Sequence, residues 1–592
     1  MPLVLHSRGG ALGEPAADDW DFITYARAGR FSFWDGGGSS AFWRPLPHQI
    51  YYGLISPLLP AHAWVVPVVH GAMLVVIALL IFRAARLRLP DGWAAAVATF
   101  PLFAEAARMA LQWPCLSVEL SFLLFTALAL HEAAFDRLPT ALLALLAALL
   151  SKEVAVVTAL ALPWLPRASA APGAGARRAI ASARLRWIAA TAVVTLVWAA
   201  AYIVIRRAHG YHLPHGFETE RATIGMPWPV RYGWAVANAS RVAFSLPVEH
   251  ARLAPVAIGT LALLLGAAAW TYARDDAARR RLAALAPVAI AGVVWFATTL
   301  APLVVVYPMW MPHRALVASL GLGLALVVVL GAARPALIAA LVVARLALFA
   351  ASPALPARVT MSAPETGAFL DAVKLARLQR LMRDTRLALA ARFPALPHGA
   401  RVAMLHPPIS TEYAFGGSQA IDVWYRDPTL RWARYDDLRI HPDWTPAAVV
   451  DFEANETPQI RFVAPEAMRH YIAGEALTVR DDWDACLRAM ARADSAQADS
   501  GARAFVSRVA GRRAFALLRL GRSNEAEREA LRSLALWSDC SDARFTLASS
   551  FAVAGRHREA NLELDTLFSL YPNDRSGRAL RDTIAAWERR GR

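Results

Sequence analysis

Asp18-Asp19-Trp20-Asp21 places adjacent carboxylates just ahead of an aromatic-rich stretch, 31–43. Neighbouring acids of this kind can take a proton from an acceptor hydroxyl, or they can hold a divalent cation. A plainer role is a helix N-cap, with Asp19 ahead of a helical run over 20–29. Phe42-Trp43-Arg44-Pro45-Leu46 follows. Further on, Ser151-Lys152-Glu153 separates two short apolar runs. A Lys and a Glu at the edge of an apolar zone are costly unless paired or functional. Two roles fit them: an ion pair that locks the hairpin, or a lysine that meets an anionic head group while Glu153 orients it. His313 and Arg314 open a late apolar run, where the start of a helix favours anions over cations. A bound phosphate would reconcile them, whereas interfacial anchoring by Trp310 and a snorkelling Arg314 needs no ligand. His209, His212 and His215 are three residues apart, but Pro214 interrupts any helix, so a metal site there is disfavoured.

The elements that must position these residues are mostly membrane spans. Of 592 residues, 57% are hydrophobic, above the level of ordinary soluble chains. Ten apolar runs can span: 64–82, 91–107, 115–131, 138–150, 154–166, 188–205, 254–272, 283–303, 314–332 and 335–351. After residue 357 the composition becomes that of a soluble domain. The formal charge of +16 resides largely in arginines between spans, which argues for topology-setting loops and against a nucleic-acid partner. If each run crosses once, the arginines of 83–88, 167–186 and 274–281, with Arg334, share one side, and the positive-inside rule makes it cytoplasmic. Arg206 and Arg207 are exceptions. The same parity puts the 1–63 loop, 151–153, 206–253, 307–313 and everything after 352 on the extracytoplasmic face. The apolar content of 1–17 is too low for a cleaved leader. Cys115, Cys486 and Cys540 have no metal or redox spacing, and a Cys486–Cys540 bridge is disfavoured.

The tail divides at about residue 480. An amphipathic helix over 366–392 precedes short strand-like runs at Arg401–His406, Ile421–Tyr425, Val449–Phe452 and Gln459–Val463, which predict a small α/β module over 357–480. From 481 to 592 the chain predicts helical hairpins. Gly521 and Gly555, Glu525 and Glu559, Ala526 and Ala560, and Trp537 and Tyr571 each recur at 34 residues, the length of a tetratricopeptide unit. Such stacks commonly offer a groove to a protein partner.

Taken in order, these motifs resemble the GT-C glycosyltransferases, and within them bacterial relatives of the transmembrane-and-tetratricopeptide O-mannosyltransferases. The likeness rests on the acidic pair, Arg44-Pro45-Leu46, a span led by His70, Ser151-Lys152-Glu153, the Arg314-led span and the repeat at 503–592. It covers about 18–332 and the C-terminus. The implied fold class is mainly α: a polytopic GT-C-like bundle, then a small α/β module and a tetratricopeptide-like stack. The implied donor is a polyprenyl-phosphate-linked sugar, the acceptor an extracytoplasmic glycan, lipid or protein, and the outcome inversion. Asp18 or Asp19 would be base or metal ligand. Arg44, Lys152, His313 and Arg314 would contact the donor phosphate, with Glu153 and His70 in support. The resemblance also implies a span before the acidic pair, which 1–17 does not supply; a late start or a lost helix would account for that. Two other classes remain open: an O-antigen-type ligase or polymerase working through Arg206, Arg207, His209, His212, His215, Arg221 and Arg231, and a non-enzymatic membrane-tethered scaffold.

Overall fold

The computed structural model describes residues 10–165, 176–211, 227–246, 253–306, 310–351, 370–407, 411–453, 459–497 and 501–590. They form two compact units, which divide within the helix Ala372–Arg392, after Arg383. The first unit therefore keeps the start of that helix, which the composition shift at 357 had assigned to the tail.

All ten apolar runs become helical, but they are not alike. Six helices are long and apolar enough to cross a membrane: Val65–Ala85, Pro114–Ala134, Ser182–Ala208, Ala254–Arg274, Asp276–Val304 and Pro312–Ala333. Leu138–Leu149, Glu153–Trp164 and Pro335–Ala351 are shorter. The run at 91–107 is not one straight span. Asp91–Leu102 and Glu105–Gln112 meet at a 60° bend, and every residue of the second limb is buried. Ten equal crossings are thus replaced by six long helices, one bent pair and three short helices.

Pro114–Ala134 and Pro312–Ala333 are the inner helices, 72% and 83% buried over their apolar windows, against 17–28% for the other four. The outer helices turn bare Leu, Val and Ile outward, as lipid-facing surfaces do. Small residues let an outer helix pack closely on an inner one: a Cβ added to Gly292 of Asp276–Val304 would fall 2.6 Å from the carbonyl oxygen of Gly321 in Pro312–Ala333. Without a hydrophobic driving force between spans, such close backbone contact is a main source of helix association.

In the second unit, β1 (Arg401–Leu405), β2 (Arg431–Arg434), β3 (Ala448–Glu453) and β4 (Gln459–Val463) form one sheet in the order β2-β1-β3-β4. β1 lies parallel to β2 and β3, and β4 runs antiparallel to β3. The run Ile421–Tyr425 is a correction. It ends the helix Gln419–Tyr425, which stops at Arg426 in the left-handed region (φ 55°). Five alternating residues cannot decide between strand and helix on periodicity alone.

Helical hairpins follow: Pro465–Thr478 with Trp483–Ala496, Arg503–Arg519 with Ser523–Leu536, and Ser541–Val553 with His557–Leu570. The 34-residue repeat is physical. Gly521 and Gly555 hold the same left-handed turn (φ 75° and 76°), a conformation that disfavours any Cβ. Arg522 and Arg556 then bridge to Glu525 and Glu559 at 2.7 and 2.6 Å. Ala526 and Ala560 are fully buried, where a larger side chain would push the helices apart. No disulfide links the three cysteines.

Candidate functional site

The acidic pair splits into two environments. Asp18 is the exposed N-cap residue of the helix Asp19–Arg27, and its side chain makes no capping bond. Asp19 lies inside the helix and is completely buried. It is therefore not the N-cap expected of it. Its Oδ2 accepts from the Ala16 backbone N–H at 2.7 Å and from Trp113 Nε1 at 3.0 Å, and its Oδ1 accepts from the Tyr52 hydroxyl at 2.5 Å. Burial raises the Asp19 carboxyl to about 7, against the opposing pull of Tyr52, Ala16 and Trp113. Three segments of chain meet on this one side chain. With both oxygens engaged by protein donors, Asp19 does not fit a divalent cation. Among the described residues no group of three or more His, Cys, Asp or Glu is assembled for a metal. His209 joins no such group, and His212 and His215 lie outside the described residues.

Arg44 and Glu153 meet through two donors. Arg44 Nε lies 3.1 Å from Oε1 and Nη2 2.7 Å from Oε2. The Tyr202 hydroxyl adds a bond to Glu153 at 3.1 Å, and the Arg44 guanidinium sits 4.0 Å from the Phe42 ring centre. Lys152, next in sequence to Glu153, pairs instead with Glu119. Adjacent residues reach different partners because the backbone is extended at Lys152 (φ −162°) before the turn Glu153–Ala155.

His313 and Arg314 stand in the 3-10 turn Pro312–Ala315 that leads into the inner helix Leu316–Ala333. His313 Nε2 is 3.9 Å from the same Glu119 oxygen that Lys152 uses, and the buried His313 Nδ1 has no hydrogen-bond partner among the described residues. The ring meets Trp113 edge-on at 6.2 Å between centres. Charges interlock across the group: Lys152 lies within electrostatic reach of Arg44 and Arg314, and Cys115 within that of Asp18, Asp19, Arg44 and Glu119. Residues from sequence positions 18 to 314 therefore converge on one neighbourhood.

His70 is not part of the charged group. Its Nδ1–H donates to the Ala110 carbonyl at 2.6 Å, and its Nε2 accepts from the Tyr51 hydroxyl at 2.8 Å. Only that tautomer satisfies both bonds, since a carbonyl cannot donate. His70 pins the buried helix Glu105–Gln112 to the helix Val65–Ala85. The nearby loop is fixed as well. Asp35 accepts from the Tyr25 hydroxyl, the Gly37 N–H and Gln49 Nε2, and His48 Nδ1–H donates to the Gly36 carbonyl at 3.0 Å. Burial, with Arg44 close by, lowers His48 to about 3, so it is neutral at ordinary pH.

Sequence reasoning missed Glu119, the carboxylate that joins Lys152 to His313. The signal was an acid within the apolar run 115–131, where an unpaired charge is expensive. Tyr52, Trp113 and Tyr202, which hold Asp19 and Glu153, carried no signal of their own. No family model, curated protein or solved structure matched the chain.

Proposed function

We propose that this membrane protein transfers a sugar from a polyprenyl-phosphate donor to an acceptor hydroxyl on the extracytoplasmic face, in the manner of the GT-C enzymes. The observation that carries this reading is the convergence of Asp18 with Arg44, Lys152, His313 and Arg314 on one neighbourhood of an apolar helical bundle. Such a donor has a lipid tail, an anionic phosphate and a sugar. A site for it needs an apolar approach, fixed cations and a base in one place.

In the proposed reaction the acceptor oxygen attacks the anomeric carbon and its proton passes to Asp18. The carbon–oxygen bond to the phosphate breaks, and the lipid phosphate leaves with the electron pair. Attack opposite the leaving group inverts the centre. Arg44 and Lys152 are oriented by their carboxylate partners yet keep donors in hand. Arg44 uses Nε and Nη2 on Glu153, leaving Nη1, and one of the three ammonium protons of Lys152 suffices for Glu119. Asp18 faces solvent, where an acceptor can reach it, whereas Asp19 is sealed and fixes the loop. No metal is assigned a role. The tetratricopeptide-like stack is read as the docking part.

The test is transfer from a radiolabelled polyprenyl-phosphate hexose by full-length protein reconstituted in liposomes. We expect turnover by the wild type and its loss in Asp18→Asn. Turnover undiminished in Asp18→Asn refutes the assignment.

A further inference from the structure

The first loop carries an aromatic cluster that the proposed reaction does not use. Phe31 and Trp34 are 65% and 63% exposed, the barest large side chains of the stretch 31–43. Trp34 is nonetheless held firmly. Its ring lies parallel to that of Trp43, at 10° and 6.5 Å between centres, and Phe33 meets both rings edge-on at 5.9 and 6.2 Å. Trp43 is buried, and its Nε1 donates to the Phe33 carbonyl at 2.8 Å, which fixes the backbone on which Trp34 stands. Next in the chain, Asp35 is held by Tyr25, Gly37 and Gln49, and the Gly36 N–H donates to the Tyr211 hydroxyl. One indole is thus braced from behind and open in front.

The cluster is continuous with the charged group. Trp43 meets Tyr202 at 6.4 Å between ring centres, and the Tyr202 hydroxyl bonds to Glu153, the partner of Arg44. A row of rings therefore leads from that ion pair to Trp34. Two partners fit an exposed indole on such a loop, the bilayer surface and a sugar. An interfacial Trp needs only the right depth, not a ring braced from behind. Arg30 and Ser40, both exposed, also bound the stretch, so it is no continuous apolar face. A pyranose ring, by contrast, has a flat face of C–H groups rimmed by hydroxyls. It packs best on an aromatic face that is already fixed, because little motion is then lost on binding.

We propose that Trp34 is the stacking platform of an acceptor subsite, and that the acceptor is an oligosaccharide. One sugar unit lies on Trp34, and the end of the chain extends along the row toward the Arg44–Glu153 pair. This inference rests on the glycosyl-transfer reading and narrows its acceptor to a glycan.

The experiment measures binding, not turnover. Full-length protein in nanodiscs is titrated with fluorescently end-labelled linear tetrasaccharides of glucose, galactose and mannose, with the dye alone as control. At least one tetrasaccharide is expected to bind, about tenfold more weakly in Trp34→Ala and with most of the affinity kept in Trp34→Phe. Trp64→Ala removes an equally exposed indole (63%) ahead of the span Val65–Ala85 and should change nothing. Binding no better than the dye, or equal affinity in the wild type and Trp34→Ala, overturns the proposal. So does quenching of Trp34 by brominated lipid, read as the fluorescence difference between the wild type and Trp34→Phe, which would put the ring in the bilayer. The transfer assay fails separately. Trp34-dependent binding without any transfer keeps the sugar platform and refutes the enzymatic reading, whereas transfer undiminished in Trp34→Ala with no tetrasaccharide bound refutes the platform alone.

Discussion

Arg44 and Glu153, 109 residues apart, are joined by a two-donor ion pair in which Arg44 Nη2 lies 2.7 Å from Glu153 Oε2. The pair ties the first loop to the turn between two short apolar helices. Its side chains are 14% and 26% exposed, so solvent screens it only in part.

Removing one partner should cost more than removing both. Arg44→Ala strips both guanidinium donors from Glu153, and a loss of about 3 kcal/mol is expected, as for other mostly buried pairs. Arg44→Lys cannot reproduce two parallel donors and should fall between. Thermal unfolding in detergent of Arg44→Ala, Glu153→Ala and the double variant reads the coupling. A double variant as unstable as the sum of the singles would show that the pair contributes nothing.

The two adjacent aspartates should respond oppositely to the same change. Asp18→Asn is expected to abolish transfer with thermal stability unchanged, because that side chain is exposed. Asp19→Asn puts an amide N–H2 against a site built from three donors, so it should lower stability by about 2 kcal/mol. Parallel melting and transfer assays check both halves.

Asp19 also makes stability depend on pH, and the sign follows from its raised pKa. Below about pH 4 it is protonated in both states and has no effect. Between the usual carboxylate value of 3.8 and about 7 the unfolded chain ionises while the folded one resists, so the folded state loses ground as pH rises. Above about pH 7 the penalty is constant, on the order of 4 kcal/mol from the three-unit difference. Melting temperatures at pH 5 and pH 8 should therefore fall with pH in the wild type, and the part due to this residue should vanish in Asp19→Asn.

Glu119→Gln should weaken the grip on Lys152 and His313 together. We expect reduced stability, recovered in part by Lys152→Met, since removing the stranded ammonium relieves its burial. Recovery is measured as folded yield after extraction. Equal yields from Glu119→Gln with and without Lys152→Met would separate the two residues.

In the hairpin stack, Gly521→Ala and Gly555→Ala force a Cβ into a left-handed turn with open space around it, so only backbone strain is added. About 1 kcal/mol of destabilisation is expected for each, read by denaturant unfolding of the full chain.

Much of this was legible before any fold was known. The apolar runs showed where helices lie, and the glycines at 34-residue spacing showed the hairpins, because both are local patterns. The bend in 91–112 was missed although Pro101 marks it: a proline inside an apolar run removes a helix hydrogen bond and crowds the preceding turn. Ile421–Tyr425 was misread for want of length. The conspicuous residues Arg44, Lys152, His313 and Arg314 were found by their type. Their pairings were not, because Glu153 turns toward Arg44 while Lys152 turns toward Glu119, and that choice is made by tertiary packing. Asp18 and Asp19 looked equivalent in sequence; Tyr52 and Trp113, from distant segments, are what separate them.

The bend itself has a history. Breaking the helix near Phe103 frees its carbonyl, which is taken by Arg345 Nη2 at 2.9 Å and approached by the Ser245 hydroxyl at 3.3 Å. These partners lie 242 and 142 residues further along the chain. During synthesis neither exists when residues 91–112 first enter the bilayer. A carbonyl without a partner in lipid is costly, and Pro101 keeps the segment from passing as an unbroken helix, so the freed carbonyl must wait for its partners. The break is written locally by Pro101, but its exposed carbonyl is satisfied only once the helix bearing Arg345 has been made.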